Sequence, residues 1–228
     1  SRSEEDLLKV REELEKEYDV KGKVIPGDLS RSETPDEIYR EVEKSSYRID
    51  FLVNNAGRGQ MGEFTETDWE SEREMMNLNM EAVVHLTKLI LPQMKERGRG
   101  EILNVSSLGA FQPGPLMALY YATKAFVQNF SEGLAEEVEK YGITVSALSP
   151  GPVDTEFKVK GRAPTNGSGD SYAISPEKAA EVGYRGLKNG KRVTVPGTFT
   201  SIAPQLVRFL PRKTVAKFVR KLNEYQLD

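Results

Sequence analysis

The sequence predicts a three-layer α/β fold built on a doubly wound parallel sheet. Helical and strand patterns alternate along the chain, and the strands are short apolar runs of the kind found in sheets covered on both faces. Small and polar residues follow several of these runs, as they do at the carboxyl ends of parallel strands. No internal repeat or linker divides the 228 residues, so we expect one domain over 1–228, with 198–228 as its amphipathic C-terminal extension.

Capping residues and apolar spacing locate five helices ahead of that extension. A serine or threonine followed closely by an acidic residue marks four of the starts. The predicted helices cover 3–18, a segment starting at Thr34, 67–97, 116–140 and 175–190. In the first of them, Leu7, Leu8 and Leu14 are expected to form the buried stripe.

Five apolar runs are short enough to be strands. They are Lys23–Pro26, Ile49–Val53, Glu101–Ser106, Ile143–Leu148 and Arg192–Val195. The continuous apolar character of the second run predicts a strand buried on both faces. Four strands are followed by candidate ligand-binding residues: Asp28, 55–57, Ser107 and 150–155. We therefore expect a site at the carboxyl edge of the sheet.

The composition excludes several classes of site. The 32 basic and 35 acidic residues give a net charge of −3, which argues against a nucleic-acid partner. Because cysteine is absent, disulfides and zinc–thiolate sites are excluded, and a reducing, cytoplasmic setting fits. The single histidine, His85, rules out a multi-histidine metal site and is expected to be structural. No apolar run reaches the ~20 residues of a membrane span.

One triplet of residues predicts acid/base chemistry. Tyr120 and Lys124 lie four residues apart in a helical pattern, so the phenol and the ammonium share a face. A cation beside a phenol favours the phenolate and would lower the tyrosine pKa from about 10 towards neutrality. Tyr121 lies three residues from Lys124, so helix geometry alone leaves both tyrosines eligible. Ser107 lies thirteen residues before Tyr120, at the end of a strand.

Five short motifs stand in a characteristic order along the chain. They are Asn54-Asn55-Ala56-Gly57, Leu78-Asn79-Met80, Ser106-Ser107, Tyr120-Tyr121-Ala122-Thr123-Lys124 and Pro150-Gly151-Pro152-Val153-Asp154-Thr155. In order and spacing they resemble the short-chain dehydrogenase/reductase family, over residues 1 to at least 195. The resemblance implies a Rossmann-like fold and an enzyme that interconverts a carbonyl and an alcohol by hydride transfer with NAD(P). Its register favours Tyr120 over Tyr121, Ser107 over Ser106 and Asn79 over Asn77.

The resemblance also implies a role for each matching residue. Tyr120 would be the general acid in reduction and the base in oxidation, and Ser107 would hydrogen-bond the substrate oxygen. Lys124 would lower the tyrosine pKa and bind the nicotinamide ribose, while Asn79 would hold a water for proton resupply. Further cofactor contacts would come from Asp28, Leu29, Asn55, Ala56, Gly57, Val153 and Thr155. A plain turn role is the alternative for Asp28 and for 54–57.

The glycine-rich TGxxxGxG loop that cradles the pyrophosphate in this family has no match in the 228 residues. Ser1 aligns with the end of the family's second strand. We therefore expect roughly 30 to 40 further residues, about one βα unit plus a strand, to precede it in the intact protein. Ser1 stands where members that prefer NAD carry an acid, and Arg2 follows. This pair suits the 2′-phosphate of NADP(H), which is favoured over NAD(H), with an ordinary exposed arginine as the alternative.

Substrate and partners are less constrained. The apolar segment 108–119 would border the pocket, and 161–170 lies where the family has a mobile lid, so a small apolar carbonyl or alcohol is expected. The resemblance implies a homodimer or homotetramer assembled through the two long helices. The segment Arg208–Lys221 holds six basic residues and no acid. It is either a solvated helix face or a contact for an anionic membrane or an acidic carrier protein.

A non-enzymatic scaffold protein of the same ancestry is the alternative function. Such a protein would keep the motifs but would bind no dinucleotide, because it would lack the glycine-rich loop. A change in thermal stability on adding NADPH or NADH separates the two hypotheses, since a ligand that binds only the folded state must stabilise it.

Overall fold

The computed structural model describes residues 2–45, 47–155, 157, 159–161 and 173–224. Its main strands are β1 (Phe51–Asn54), β3 (Gly100–Val105), β4 (Ile143–Leu148) and β6 (Val193–Thr194), and two short ones are β2 (Gly59–Gln60) and β5 (Val159–Lys160). The main strands form a parallel sheet in the order β1-β3-β4-β6, and β2 pairs in parallel with β5. The predicted α/β class with a parallel sheet is confirmed.

Helices flank this sheet. They are α1 (Glu4–Tyr18), α2 (Thr34–Glu43), α3 (Trp69–Met76), α4 (Ala82–Arg97), α5 (Ala118–Val138), α6 (Pro176–Lys188), α7 (Thr198–Val207) and α8 (Arg212–Glu224). A π-helical turn, Asn77–Glu81, joins α3 to α4, and 3₁₀ turns cover Leu108–Phe111 and Glu139–Tyr141. In the part of the chain that the structure describes, no helix is long and apolar enough to cross a membrane.

The capping signals place most helix starts within a residue. Ser3 and Ser175 cap α1 and α6, each by accepting a hydrogen bond from the backbone N–H three residues later. The cap of α3 is Asp68 rather than Thr67, whose hydroxyl bonds Glu72 instead. His85 has the expected structural position, because its Nε2 lies 3.5 Å from a carboxylate oxygen on α2.

Two predictions for the first thirty residues are wrong. Lys23–Pro26 forms no strand, because none of the described strands lies beside it and an extended segment needs a hydrogen-bonded neighbour. The leucine stripe of α1 is not buried, and Leu14 is 47% exposed. Instead, α1 contacts the segment that follows it through polar side chains: Glu15 accepts a hydrogen bond from the Gly22 N–H at 2.8 Å.

Within the described residues β1 is covered on one face only, whereas the sequence predicted a strand buried on both faces. Phe51 and Val53 are 46% and 55% exposed, whereas Asn54 at its end is buried. Among the described strands β1 pairs with β3 alone. Alternating exposure is what a strand covered on one face shows, because successive side chains point to opposite sides.

An apolar core holds the sheet against α4 and α5. Its buried members are Ile90, Met94, Ile102, Ala135, Val138, Ile143 and Val145. They come from two helices and from the two central strands β3 and β4, so the core fixes α5 directly over the strands whose ends carry the candidate site. Burying a side chain of this size stabilises the fold by roughly 1.5–3 kcal/mol.

A chain of buried hydrogen bonds ties the same elements together through polar groups. The Asn104 side chain on β3 accepts from Asn54 Nδ2 at 2.8 Å and donates to Ser131 Oγ on α5 at 2.8 Å. Asn54 also donates to Thr87 Oγ1 on α4 at 3.2 Å. Because all four side chains are buried, these bonds fix the positions of the β1 and β3 ends relative to α4 and α5.

Substituting Asn104 by leucine is therefore expected to lower the free energy of unfolding by about 2–4 kcal/mol, since it leaves buried donors and acceptors unpaired. Urea denaturation measures this change. The matched control is Asn129→Leu on the same helix as Ser131, where the amide is exposed and bonds only the Ala125 carbonyl. The control should change stability by less than about 0.5 kcal/mol. Equal effects of the two substitutions would contradict the buried network.

Candidate active site

The predicted triplet comes together at the carboxyl end of β3. Tyr120 stands in the first turn of α5 and Lys124 one turn further on, with Lys124 Nζ 6.0 Å from the centre of the Tyr120 ring. Ser107 lies two residues beyond the end of β3 and caps the next 3₁₀ turn by accepting from the Gly109 N–H at 3.1 Å. The Ser107 side chain also lies beside the Tyr120 phenol, where it acts to lower the tyrosine pKa. A serine and a phenol thus converge on one point above the sheet.

Burial raises the pKa of Tyr120 to about 12, and the hydrogen bond with Ser107 offsets only part of this effect. The expected lowering of this pKa by Lys124 is therefore wrong for this structure. Loss of hydration on burial is the largest effect on this phenol, and the charge of Lys124 does not outweigh it. Consequently the Tyr120 phenol keeps its proton at neutral pH.

Lys124 is a buried cation, only 4% exposed. Its Nζ donates to the Val105 carbonyl at 2.9 Å, and no carboxylate among the described residues forms an ion pair with it. Loss of hydration lowers the pKa of Lys124 to about 8. An ammonium has three N–H donors, so two remain available to a ligand.

Gly57 and Asn79 border the same space as the ammonium. A Cβ built on Gly57 would lie 3.3 Å from both Lys124 Nζ and Asn79 Oδ1. The buried Asn79 amide accepts from the Arg58 N–H at 3.0 Å and donates to the Arg58 carbonyl at 3.0 Å and to Thr123 Oγ1 at 3.1 Å. Asn79 therefore holds the loop after β1 against α5. Its water-holding role stays a prediction.

The neighbouring residues that the motifs left as alternatives have other contacts. Ser106 is buried, and its hydroxyl donates to the Lys124 carbonyl at 2.8 Å, which ties the end of β3 to α5. Asn77 donates to the Ser30 carbonyl at 3.0 Å. Ser107 rather than Ser106 lies beside the Tyr120 phenol, and Asn79 rather than Asn77 borders the Lys124 ammonium.

Tyr121 has neighbours of its own. Its ring stands edge-on to that of Tyr120, with centroids 6.0 Å apart, and it packs where a Cβ on Gly114 would come within 2.2 Å of a ring carbon. Burial raises the pKa of Tyr121, partly offset by a hydrogen bond with Asn223 on α8. Asn223 donates in addition to the Pro115 carbonyl at 2.8 Å. The two tyrosines thus face different partners.

Asn223 is a site neighbour that the sequence analysis missed. It is buried together with Val215 and Val219, which lie eight and four residues before it. That spacing places an amide on the apolar stripe of a helix, which is the signal that could have identified it.

The residues expected near the adenosine lie close to one another. Arg2 Nη1 is 3.5 Å from Asp28 Oδ2. Asp28 also accepts from the Ser30 hydroxyl at 2.7 Å and from its N–H at 3.0 Å, and these bonds lower the pKa of its carboxyl. In this structure Asp28 therefore builds a turn. Leu29 is half-buried beside it, whereas Asn55 and Ala56 are exposed after β1.

The segment after β4 reaches over the tyrosine. Val153 forms a parallel bridge with Ile174, and Thr155 Oγ1 accepts from the Phe157 N–H at 3.2 Å. The Phe157 ring centroid lies 6.1 Å from that of Tyr120. Val153 and Thr155 thus lie in a loop beside the site. Of the segment expected to form a lid, 162–170 lies outside the described residues.

These contacts fit the ribose and nicotinamide half of a dinucleotide. A buried ammonium with free donors suits a ribose hydroxyl pair, and the missing side chain at Gly57 leaves the space open next to it. Gly57, Lys124, Val153 and Thr155 would hold that half of the cofactor.

The chain is similar to known proteins over most of its length. The short chain dehydrogenase family model matches residues 1–166. The very-long-chain 3-oxoacyl-CoA reductase of Rattus norvegicus is 32% identical over 99% of this chain and 72% of its own length. A short-chain dehydrogenase structure from Streptomyces avermitilis is 30% identical, with a TM-score of 0.78, and the match covers 92% of this chain and 82% of that one. One from Sphingobium yanoikuyae, in complex with NADPH, is 27% identical with a TM-score of 0.81, covering 92% and 80%.

Lys124→Met is expected to raise the free energy of unfolding by about 1–3 kcal/mol at neutral pH, because it removes a buried charge at the cost of one hydrogen bond. The folded-state pKa is lowered, so the unfolded lysine binds more protons between about pH 8 and the ordinary value of 10.5. The gain should be full below that window and shrink through it.

Urea denaturation at a series of pH values measures this gain. Lys88→Met on the exposed face of α4 is the matched control and should leave stability nearly unchanged at every pH. A gain that is absent, or that does not vary with pH, would contradict the burial of an uncompensated ammonium.

Proposed function

The chain belongs to the short-chain dehydrogenase family and is an oxidoreductase acting on CH–OH and C=O groups; from this premise we propose that it works with NADP(H) and uses Tyr120 as its general acid and base. The observation that carries the proposal is the convergence of the Tyr120 phenol and the Ser107 hydroxyl beside the buried Lys124. NADP(H), when bound, supplies or accepts the hydride.

In the direction of reduction, Tyr120 gives its proton to the carbonyl oxygen as that oxygen becomes an alcohol. With a pKa raised to about 12, the phenol is in the acid form that this step requires. In oxidation it takes the hydroxyl proton back. Because an unassisted phenolate is costly in a buried site, this direction depends more strongly on the positive charge of Lys124.

Ser107 orients the substrate. Its hydroxyl accepts from the Gly109 N–H and lies beside the phenol, so a substrate oxygen accepting from both groups would be fixed between them. Lys124 would bind the ribose with its free donors. Asn79, which holds the Gly57 loop in place, would keep that space open and retain a water next to the lysine.

The proposed cofactor preference rests on Arg2. Its guanidinium lies beside Asp28 and is largely exposed, so it can turn towards a 2′-phosphate. The similar structure from Sphingobium yanoikuyae holds NADPH, which supports the same preference. The adenosine side would be completed by Asp28, Leu29, Asn55 and Ala56.

The proposed substrate is an apolar ketone or an acyl chain bearing a carbonyl. Phe157 and the proline-containing segment 113–117 form apolar walls next to Tyr120 and Tyr121. A relative that covers nearly the whole chain is named as a reductase of very-long-chain 3-oxoacyl-CoA, which supports a long acyl substrate.

We also propose that the protein is a homodimer or homotetramer assembled through α4 and α5. On α5, Phe126 and Phe130 stack with an interplanar angle of 3°, and Phe126 is exposed. An exposed aromatic stack on a long helix suits a helix-to-helix interface. Sedimentation velocity of the intact protein measures the oligomeric state, and a monomer would contradict this proposal.

Tyr120→Phe is expected to reduce kcat with an apolar ketone and NADPH by at least about 10³-fold, because it removes the proton donor. Tyr121→Phe, which loses only the bond with Asn223, should retain most of the activity. Each substitution removes one phenol hydroxyl, so steady-state assays of the two variants compare the same change at the two tyrosines. If Tyr121→Phe were the inactive one, the assignment of the acid would be wrong.

NADPH is expected to raise the melting temperature of the intact protein more than NADH does at equal concentration. A ligand at a hundredfold excess over its Kd stabilises the folded state by about 2.7 kcal/mol. Arg2→Ala should reduce the NADPH shift towards that of NADH, while Arg48→Ala, whose arginine pairs with Asp50, should not. Equal shifts with both cofactors would refute the preference, and no shift with either would favour a scaffold that binds no dinucleotide.

A further inference from the structure

The C-terminal surface, formed by α7, α8 and the turn between them, exposes many large apolar side chains. Those at least half exposed are Ile202, Leu206, Phe209, Leu210, Phe218 and Leu222. Phe209 is 86% exposed and Phe218 is 63% exposed. Scattered apolar residues are ordinary on a protein surface, but a group of this size on one pair of helices marks an interaction site.

The same surface is strongly basic. Its cations are Arg208, Arg212, Lys213, Lys217, Arg220 and Lys221, and the segment 208–221 contains no acid. Arg220 is paired, with Glu224 at 2.7 Å and Glu63 at 3.8 Å. The other five form no ion pair within the described ranges. Their charge is therefore available to an external partner.

The spacing along α8 sorts these groups into stripes. Side chains four residues apart share a face of a helix. The buried stripe is Val215, Val219 and Asn223, the basic stripe is Lys213, Lys217 and Lys221, and the exposed apolar stripe is Phe218 and Leu222. At 100° per residue the basic stripe lies opposite the buried one. The helix thus presents lysines outward with phenylalanine and leucine along one flank.

We propose that the C-terminal surface binds an anionic membrane surface, with Phe209 and Phe218 entering the headgroup region and the lysine stripe contacting lipid phosphates. Basic residues next to exposed aromatic and aliphatic side chains are what a helix needs to lie in the membrane interface. A second copy of the chain docked by a twofold axis would set these cations against themselves. An acidic protein would match the charge, and the experiment below separates it from lipid.

The contacts on the inner face of α8 connect the C-terminal surface to the active site. Asn223 on the buried stripe donates to the Pro115 carbonyl at 2.8 Å and lies beside the Tyr121 phenol, so the inner face of this helix forms part of the wall next to Tyr121. An apolar substrate dissolved in the bilayer would then reach the site from the membrane side. This consequence rests on the proposed function, whereas the lipid binding does not.

Sedimentation of the intact protein with vesicles tests the proposal. Vesicles of phosphatidylcholine containing phosphatidylserine should carry the protein into the pellet at low salt and release it at high salt. Vesicles of phosphatidylcholine alone should leave it in the supernatant. No catalytic measurement enters this assay, so a failure of the proposed function would leave its outcome unchanged.

Two independent variants test which residues bind. Lys213→Glu/Lys217→Glu should weaken partitioning by at least about tenfold, since each cation near an anionic surface contributes roughly fivefold. Its matched control, Lys16→Glu/Lys21→Glu, makes the same charge reversals on exposed lysines outside this surface. Phe209→Ser/Phe218→Ser should weaken partitioning to a similar extent, whereas Tyr18→Ser on the exposed face of α1 should not.

Three outcomes would overturn the proposal. The first is no sedimentation with anionic vesicles at low salt, which would leave an acidic protein as the partner of this surface. The second is equal sedimentation of the charge-reversal variant and its control. The third is sedimentation velocity showing that Phe209→Ser/Phe218→Ser converts an oligomer to monomers, which would identify the surface as a contact between copies of the chain.

Discussion

The burial of the Lys124 ammonium is the constraint on which the rest of the site depends. A cation that has lost its hydration and gained no counter-charge lowers the stability of the fold, so the surroundings must hold it in place. They do so with neutral groups: the Val105 carbonyl accepts from Nζ, and Ser106 bonds the backbone of the same lysine. The result is a positive charge aimed at the space that Gly57 leaves empty.

Buried asparagine amides hold the helix that carries Lys124 in position. Asn54 and Asn104 join the ends of β1 and β3 to each other and to two helices, and Asn79 joins the following loop to α5. If α5 moved along the sheet by one residue, these hydrogen bonds would be lost at the same time. The polar network therefore positions the helix that carries Tyr120 and Lys124, while the apolar core beneath it supplies most of the stability. From the other side, Asn223 on α8 donates to the Pro115 carbonyl and lies beside Tyr121, which links the site to the C-terminal surface.

The sequence was a good guide wherever local signals decide the structure. β4 was predicted to the residue, because Gly142 with a positive φ ends the preceding turn and Pro150 follows soon after the strand. The site residues meet because parallel strands bring their carboxyl ends to one edge. The burial of individual side chains could not be predicted from such local signals. The exposure of Val53 depends on which strands flank β1, and the pKa of Tyr120 depends on desolvation that helix spacing does not reveal. Asn223 contacts Pro115 across 108 residues of sequence, so no local pattern indicated that bond.

The most direct test of this account is the titration of Lys124 itself. Carbon-13 NMR of the lysine Cε atoms, with the Lys124 resonance identified by its loss in Lys124→Met, follows the protonation of this one amine in the folded protein. A midpoint near pH 8 is the expected result, because burial removes the hydration of the ammonium and no carboxylate in the described part of the chain forms an ion pair with it. A midpoint near the ordinary 10.5 would contradict it and would mean that the charge is hydrated or neutralised in solution.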